Sequence, residues 1–371
     1  MPVYGLGEAG RLWFKTISAW LMAQGMKQAK TDPCLFFYRK EGVLRGIITL
    51  HVDDKNYCGD KVFDKDIINK MFKKFKFGKI QEGAFKTLGW NVEHDKMEGI
   101  IYVSQKDYIQ GQLKQINIDQ SGMHSTKTPL TEENKKKLRQ LIGQLRWLTD
   151  QTRPDGCWEE LWLSMMASKP TIYEYKMARR LVKRILDNEV KIMYKKLGDE
   201  NWVISVFTDA SVGGLPDEKS SCYGLIIYIS NGYEIGQRKD ASIISWKSGK
   251  VKRIVSQSYD AEVLALSEGL EQALVLKDLL MDMTGCSSEM LTIESFCDNA
   301  DTIKALAGTK QYKKGNLIGL EVHKIKQMEE RGEVKPVRWL PGSYQIADCL
   351  TKEKATGIPI LESLTKGKFM N

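Results

Sequence analysis

The sequence predicts a mixed α/β fold, on three observations. Over the first 110 residues, short apolar runs with strand character alternate with stretches of helical periodicity. From about residue 132 to 197 the pattern is helical. From residue 198 on, three strand-like runs precede helices and strands in alternation. That last order belongs to a layered sheet flanked by helices, not to a bundle or a barrel.

The elements follow in chain order. In G-R-L-W-F-K-T-I-S-A-W-L-M-A-Q-G, Leu12, Ile17 and Leu21 recur at helical spacing, and Gly25 stands where a glycine closes a helix. Two strand-like runs come next, P-C-L-F-F-Y-R and V-L-R-G-I-I-T-L-H-V, separated by the turn signal K-E-G. The second ends in the doublet Asp53-Asp54. A helix over D-K-D-I-I-N-K-M-F-K-K-F is followed by the strands T-L-G-W-N-V-E and I-I-Y-V-S, joined by D-K-M-E-G. In the middle stretch, L-R-Q-L-I-G-Q-L-R-W-L and Y-K-M-A-R-R-L-V-K-R-I-L are amphipathic, the second strongly basic on its outer face. Gly198-Asp199 mark the change to the last block. There the strands W-V-I-S-V-F-T-D, C-Y-G-L-I-I-Y-I and A-S-I-I-S-W lead to a long helix from about Ser258 to Met283. A strand (L-T-I-E-S-F-C-D), a short helix, a helix around residues 317–331, a strand (V-K-P-V-R-W-L) and a final helix complete the chain.

Composition sets bounds on function. The 371 residues suffice for two or three domains, and 42% hydrophobic with 28% charged residues describes a globular chain. A formal net charge of +9 favours a polyanionic partner. The seven cysteines are scattered without a C-x-x-C pair, and with four histidines they assemble no zinc spacing. They read as reduced thiols of an intracellular protein. No apolar run reaches the roughly 18–20 residues that span a bilayer. The start M-P-V-Y-G-L-G-E-A-G has no signal-peptide pattern, so the expectation is a soluble chain with no membrane partner.

Four acidic residues stand out: Asp209 in V-F-T-D-A-S, Glu262 in Y-D-A-E-V-L-A-L, Asp298 in F-C-D-N-A-D and Asp348 in Q-I-A-D-C-L. Asp209 and Asp298 end apolar strands, where ligand sites of α/β sheets gather. Glu262 is placed in the first turn of the long helix, where the dipole tolerates an anion. Asp348 is placed at the start of the last helical segment. Converging carboxylates repel, and bound cations make such a cluster favourable. An all-oxygen set suits Mg²⁺ or Mn²⁺. Two such ions about 3.5–4 Å apart cut phosphodiester bonds. Asp260, Asp301 and Asp240 are alternatives to Glu262, Asp298 and Asp209.

These contexts resemble a known family. A-E-V-L-A-L-S-E-G, I-S-W-K-S-G-K, C-D-N-A-D and I-A-D-C-L-T-K are similar to segments of the ribonuclease H domain of copia-type LTR retrotransposon Pol polyproteins. Tyr259-Asp260 departs from the Thr-Glu usual there. The resemblance covers essentially the whole chain. It implies that Asp209, Glu262, Asp298 and Asp348 are the catalytic, metal-binding carboxylates of a ribonuclease H-like five-stranded mixed sheet with flanking helices, holding two Mg²⁺ (or Mn²⁺) ions.

The N-terminal half resembles the reverse transcriptase of the same elements, through Y-G-L-G-E-A-G-R-L-W-F, T-D-P-C-L-F-F-Y, H-V-D-D, L-G-W-N-V-E and L-I-G-Q-L-R-W-L-T-D-Q-T-R-P-D. The resemblance implies that Asp53 is a polymerase metal ligand with Asp54 beside it. It divides the chain into a partial palm (1–131), a helical thumb-connection region (132–197) and a ribonuclease H-like domain (198–371). The family's other catalytic aspartate lies upstream of Y-G-L, and Met1 stands three residues before Tyr4, so the first catalytic strand and the fingers are expected to be absent. Gly7-Glu8 replace Lys-Gln, Gly10 replaces Pro, and Lys55-Asn56 replace apolar residues. The expectation is therefore hydrolysis of RNA in RNA–DNA hybrids, with the polymerase doublet vestigial. Two rivals are the C-terminal part of an active RNA-directed DNA polymerase and a non-catalytic nucleic-acid-binding remnant.

Expected nucleic-acid contacts are Lys176, Arg179, Arg180, Lys183 and Arg184 on the basic helix, and Trp246, with packing as the alternative for Trp246. In N-K-M-F-K-K-F-K-F-G-K the phenylalanines are read as core and the lysines as a solvated face, against a single-strand stacking platform. Lys135-Lys136-Lys137 are read as a helix-start loop, and His323 as a surface residue. The partner is an RNA–DNA hybrid or RNA template. Family behaviour adds association with other Pol products, in the cytoplasm (virus-like particle) or nucleus.

Overall fold

Residues 8–113, 125–198, 201–255, 257–308, 317–353, 355 and 357–369 are described by a computed structural model. Tyr4, Gly7, His124 and Asp199 lie outside the described residues. The chain forms two compact units, residues 1–82 with 274–291, and residues 83–273 with 292–371.

In the first unit, helix α1 (Ala9–Ala23) buries Ile17, Ser18 and Leu21. It is followed by strands β1 (Lys27–Gln28), β2 (Leu35–Lys40), β3 (Val43–His51) and β4 (Asp54–Gly59), antiparallel in the order β1-β2-β3-β4. Gly46 and Gly59 are register partners on β3 and β4. A Cβ on either would stand 2.3 or 2.2 Å from the ring of Phe63, so both glycines make room for that buried aromatic. The next helix is not the uniform one expected: α2 (Lys61–Phe63) and α3 (Asn69–Lys74) are joined by a π-helical turn, Asp64–Ile68. Asp60 caps its start, accepting from the amides of Val62 and Phe63 at 2.9 and 3.0 Å. Phe72, Phe75 and Phe77 pack against the core containing Ile17, Phe36, Ile48 and Ile67. Lys70, Lys73, Lys74, Lys76 and Lys79 face solvent, as the packing reading requires.

The second unit opens with β5 (Ala84–Thr87), β6 (Trp90–Asp95) and β7 (Ile100–Ser104). The single strand expected over T-L-G-W-N-V-E is instead a hairpin corner. Leu88 (φ 51°) and Gly89 (φ 80°) form its two-residue turn, both in the left-handed region that primed turns use. After α4 (Lys106–Gln112) come α5 (Glu132–Thr149), α6 (Cys157–Met166) and α7 (Ile172–Asp187). These helices share a core that includes Leu138, Leu145, Trp158, Tyr175, Leu181 and Ile185. Thr171 and Glu174 form a capping box at the start of α7. Lys135 and Lys137 are inside α5 rather than in a loop, paired with Glu132 and Glu133 at 2.7 and 2.6 Å. The expected helical stretch ends early, because β8 (Ile192–Tyr194) pairs with β7 and extends the sheet to β5-β6-β7-β8.

The last block holds β9 (Trp202–Ser211), β10 (Cys222–Ser230), β11 (Ala241–Lys250), the long α8 (Ser258–Thr284), β12 (Leu291–Cys297), α9 (Ala300–Leu306), α10 (Leu317–Glu330), β13 (Arg338–Trp339) and α11 (Ile358–Lys366). Among the described residues its sheet has five strands in the order β11-β10-β9-β12-β13. It is mixed, as expected for a ribonuclease H-like sheet: β9, β10 and β11 pair antiparallel, while β12 and β13 pair parallel. Phe207 on β9 stacks on Phe296 of β12 at 4.8 Å and 18°, locking the centre of the sheet. At Gly269 of α8, a Cβ would come within 2.9 Å of Val206 and Thr208, so the glycine lets the helix rest directly on β9. No helix among the described residues is long and apolar enough to cross a membrane.

Candidate metal centre

The central strand fixes the first ligand. Asp209 is on β9, 1% exposed, and opposite it in register lies Gly224 of β10. A Cβ there would stand 2.7 Å from Leu350 Cβ and 3.0 Å from the Ala347 carbonyl. The glycine therefore allows a short 3₁₀ turn, Ile346–Leu350, to lie on the sheet and deliver Asp348. Asp348 sits within this turn and not at the head of a helix as expected; α11 begins later, at Ile358. Gln345, itself buried, ties the turn down: its side-chain amide donates to the Thr208 carbonyl at 2.9 Å. Asp298 follows directly on β12.

Glu262 lies past the first turn of α8, which carries Asp260, so the helix dipole is not what places it. Instead the Ala210 amide donates to Glu262 Oε1 at 3.2 Å, joining helix to strand inside the core. Cys297 Sγ approaches its other oxygen at 3.9 Å.

All four carboxylates come together. One oxygen each from Asp209, Asp298 and Asp348 lies within 4.8 Å of the others, and a second group within the same span comprises Glu262, Cys297 and Asp298. Asp298 belongs to both. Two further side chains share the space. The Thr351 hydroxyl donates to Asp209 Oδ2. The Lys352 ammonium lies 2.7 Å from Asp348 Oδ1 and 3.4 Å from Asp209.

Burial pushes the Asp209 carboxyl up to about 7, with Lys352 opposing and Asp348 and Asp298 reinforcing. Burial, then the charges of Asp209 and Asp298, push Glu262 up to about 9. Asp298 is also raised, by burial and then by Asp348. Burial likewise holds the Cys297 thiol well above its ordinary range. The four carboxylates are hard oxygen donors, a set that fits Mg²⁺ or Mn²⁺. Asp240 and Asp301 join neither group: Asp240 pairs with Lys195 at 2.8 Å and Asp301 with Lys304 at 3.2 Å.

Asp53 and Asp54 are exposed at the β3–β4 hairpin, where His51 and Asp54 pair across the turn. Among the described residues, no three-ligand group includes either of them. Lys55, beside the doublet, lies 4.2 Å over the ring of Phe77 and 5.2 Å over Trp13. Burial lowers its pKa, opposed by the charges of Asp53 and Asp54.

On α7, Lys176, Arg179, Arg180 and Lys183 are exposed. Arg184 departs from the expectation. Its guanidinium is engaged by Asp155 at 3.2 Å and Glu159 at 2.7 Å, beside Arg153, which is fully buried on the same Asp155. Trp246 departs as well: its indole donates to the Thr149 carbonyl at 2.7 Å and its ring packs against the core, which is the packing alternative. His323 is exposed on α10. Gln345, Thr351 and Lys352 carry no role in the sequence reading; their adjacency to the acidic Asp348 motif was the available signal.

The profile of the family described as reverse transcriptase (RNA-dependent DNA polymerase) matches residues 1–132. The retrovirus-related Pol polyprotein from transposon TNT 1-94 of Nicotiana tabacum is 22% identical over 370 residues, 94% of this chain and 26% of that protein. The one from transposon RE2 of Arabidopsis thaliana is 25% identical over 363 residues, 94% of this chain and 24% of that protein. Over nearly its whole length the chain is thus similar to retrovirus-related Pol polyproteins of transposons. The chain spans about a quarter of the length of those relatives. Among solved structures, LC11-RNase H1 in complex with RNA/DNA hybrid is 18% identical, with a TM-score of 0.29, covering 40% of this chain and 93% of that one.

Proposed function

We propose that this chain is a metal-dependent ribonuclease that hydrolyses the RNA strand of an RNA–DNA hybrid, with residues 198–371 as its catalytic domain. The observation that carries the reading is the convergence of Asp209, Glu262, Asp298 and Asp348 from two strand ends, a helix and a 3₁₀ turn. These residues would hold two Mg²⁺ or Mn²⁺ ions, which when bound supply an activated water and charge stabilisation at the leaving oxygen. Asp298, common to both ligand groups, is the residue whose loss removes a ligand from each. Gln345 and Thr351 hold the aspartates in place. Lys176, Arg179, Arg180 and Lys183 offer cations to the hybrid's phosphates. Selection of hybrid rests on helix shape and 2′-hydroxyl contacts.

Residues 1–131 and 132–197 are, on this proposal, a partial palm and a thumb-connection region. The doublet Asp53-Asp54 is vestigial, a reading supported by the Lys55 ammonium beside it. Purified chain incubated with Mg²⁺ and matched RNA–DNA hybrid, duplex RNA and single-stranded RNA tests the function. Cleavage of the hybrid alone, abolished by chelator, is expected. Equal cleavage of all three, or none, contradicts it.

A further inference from the structure

The ammonium of Lys352 stands inside the carboxylate cluster. It contacts Asp348 Oδ1 at 2.7 Å and both oxygens of Asp209 at 3.4 Å. Those residues are two of the three aspartates whose oxygens gather within 4.8 Å. The ammonium thus occupies space between Asp209 and Asp348.

The arrangement is built by one turn of chain. The Lys352 amide donates to the Asp348 carbonyl at 3.1 Å, and the intervening Thr351 anchors its hydroxyl on Asp209. A single turn thus supplies a carboxylate and a counter-charge for it. The Lys352 side chain is 43% exposed, so it has a path out to water.

We propose that Lys352 is an internal counter-ion that exchanges with a divalent cation at Asp209 and Asp348. The proposal rests on the metal-site reading above. Two positive charges a few ångströms apart repel strongly in a partly buried site, so ammonium and divalent ion exclude each other. Lys352 is a positioning residue: it keeps the carboxylates together and yields when the ion enters. Two consequences of opposite sign follow. Without the ammonium, the carboxylates repel unopposed and the chelated protein loses stability. Without the competitor, the divalent ion binds more tightly. A lysine with a purely structural role lowers stability without tightening metal binding.

The test is calorimetric titration of the full chain with MgCl₂, alongside thermal melts in chelator, for the parent, Lys352→Met and Lys352→Arg. Lys352→Gln replaces the methionine variant if that one does not fold. The uncharged variant is expected to bind Mg²⁺ about tenfold more tightly and to melt lower in chelator, with Lys352→Arg close to the parent. A folded uncharged variant that binds Mg²⁺ no more tightly than the parent overturns the exchange and leaves the metal site standing. A parent that binds no Mg²⁺ overturns the metal site and the exchange with it.

Discussion

At the scale of single residues, the four carboxylates are held at the cost of burying charges that repel one another. Because burial raises Asp209 to about 7, its folded carboxyl keeps a proton that the unfolded one releases near pH 4. The sign follows: the stability this group contributes is full below that pH and is lost as the pH rises through about 7. Glu262, raised to about 9, extends the loss upward. In chelator, the melting temperature of Asp209→Asn relative to the parent should therefore climb between pH 4 and 7, and added Mg²⁺ should stabilise the parent more at the upper end. A pH-independent difference would contradict this. The acidic positions stood out because each occupies a distinctive local sequence context, although Asp348 lies in a 3₁₀ turn and not at a helix start. Gln345, Thr351 and Lys352 did not, because their roles depend on a 3₁₀ turn lying against Gly224, which local periodicity does not encode.

Among the elements, the site depends on two close approaches made through glycine. Gly269→Ala puts a methyl within 2.9 Å of Val206 and Thr208 and should push α8, and Glu262 with it, off β9. A cost of roughly 1–3 kcal/mol is expected in denaturant unfolding, with hydrolysis reduced further than stability alone explains. Thr171→Ala breaks the capping box of α7 and should cost about 1 kcal/mol in the same measurement, with hydrolysis by the folded protein unchanged. The long helix, α10 and the strands β9 and β12 were readable from their apolar patterns. The Leu88-Gly89 corner was not, because a leucine at positive φ gives no turn signal. Nor was β8, whose three residues take their state from pairing with β7.

For the molecule as a whole, a net charge of +9 matters most where cations are exposed together. Replacing Lys176, Arg179, Arg180 and Lys183 with alanine should weaken hybrid binding and flatten its salt dependence, by about one unit of slope for each phosphate left without its cation. Fluorescence anisotropy across a salt series would show it, and an unchanged slope would remove α7 from the interface. Arg184→Ala should act differently, lowering the melting temperature by removing the guanidinium from Glu159 and one of two from Asp155. That distinction was invisible in the basic pattern of the helix, since the partners of Arg184 lie on another segment. On the proposed reading, four convergent carboxylates make this chain a hybrid-cutting nuclease. Its most direct test is cleavage of end-labelled RNA annealed to DNA, in Mg²⁺, by the parent and by Asp298→Asn. Cutting by the parent and none by the variant is the predicted result; a well-folded parent that leaves the RNA intact in both Mg²⁺ and Mn²⁺, or a variant that cuts as well as the parent, would contradict it.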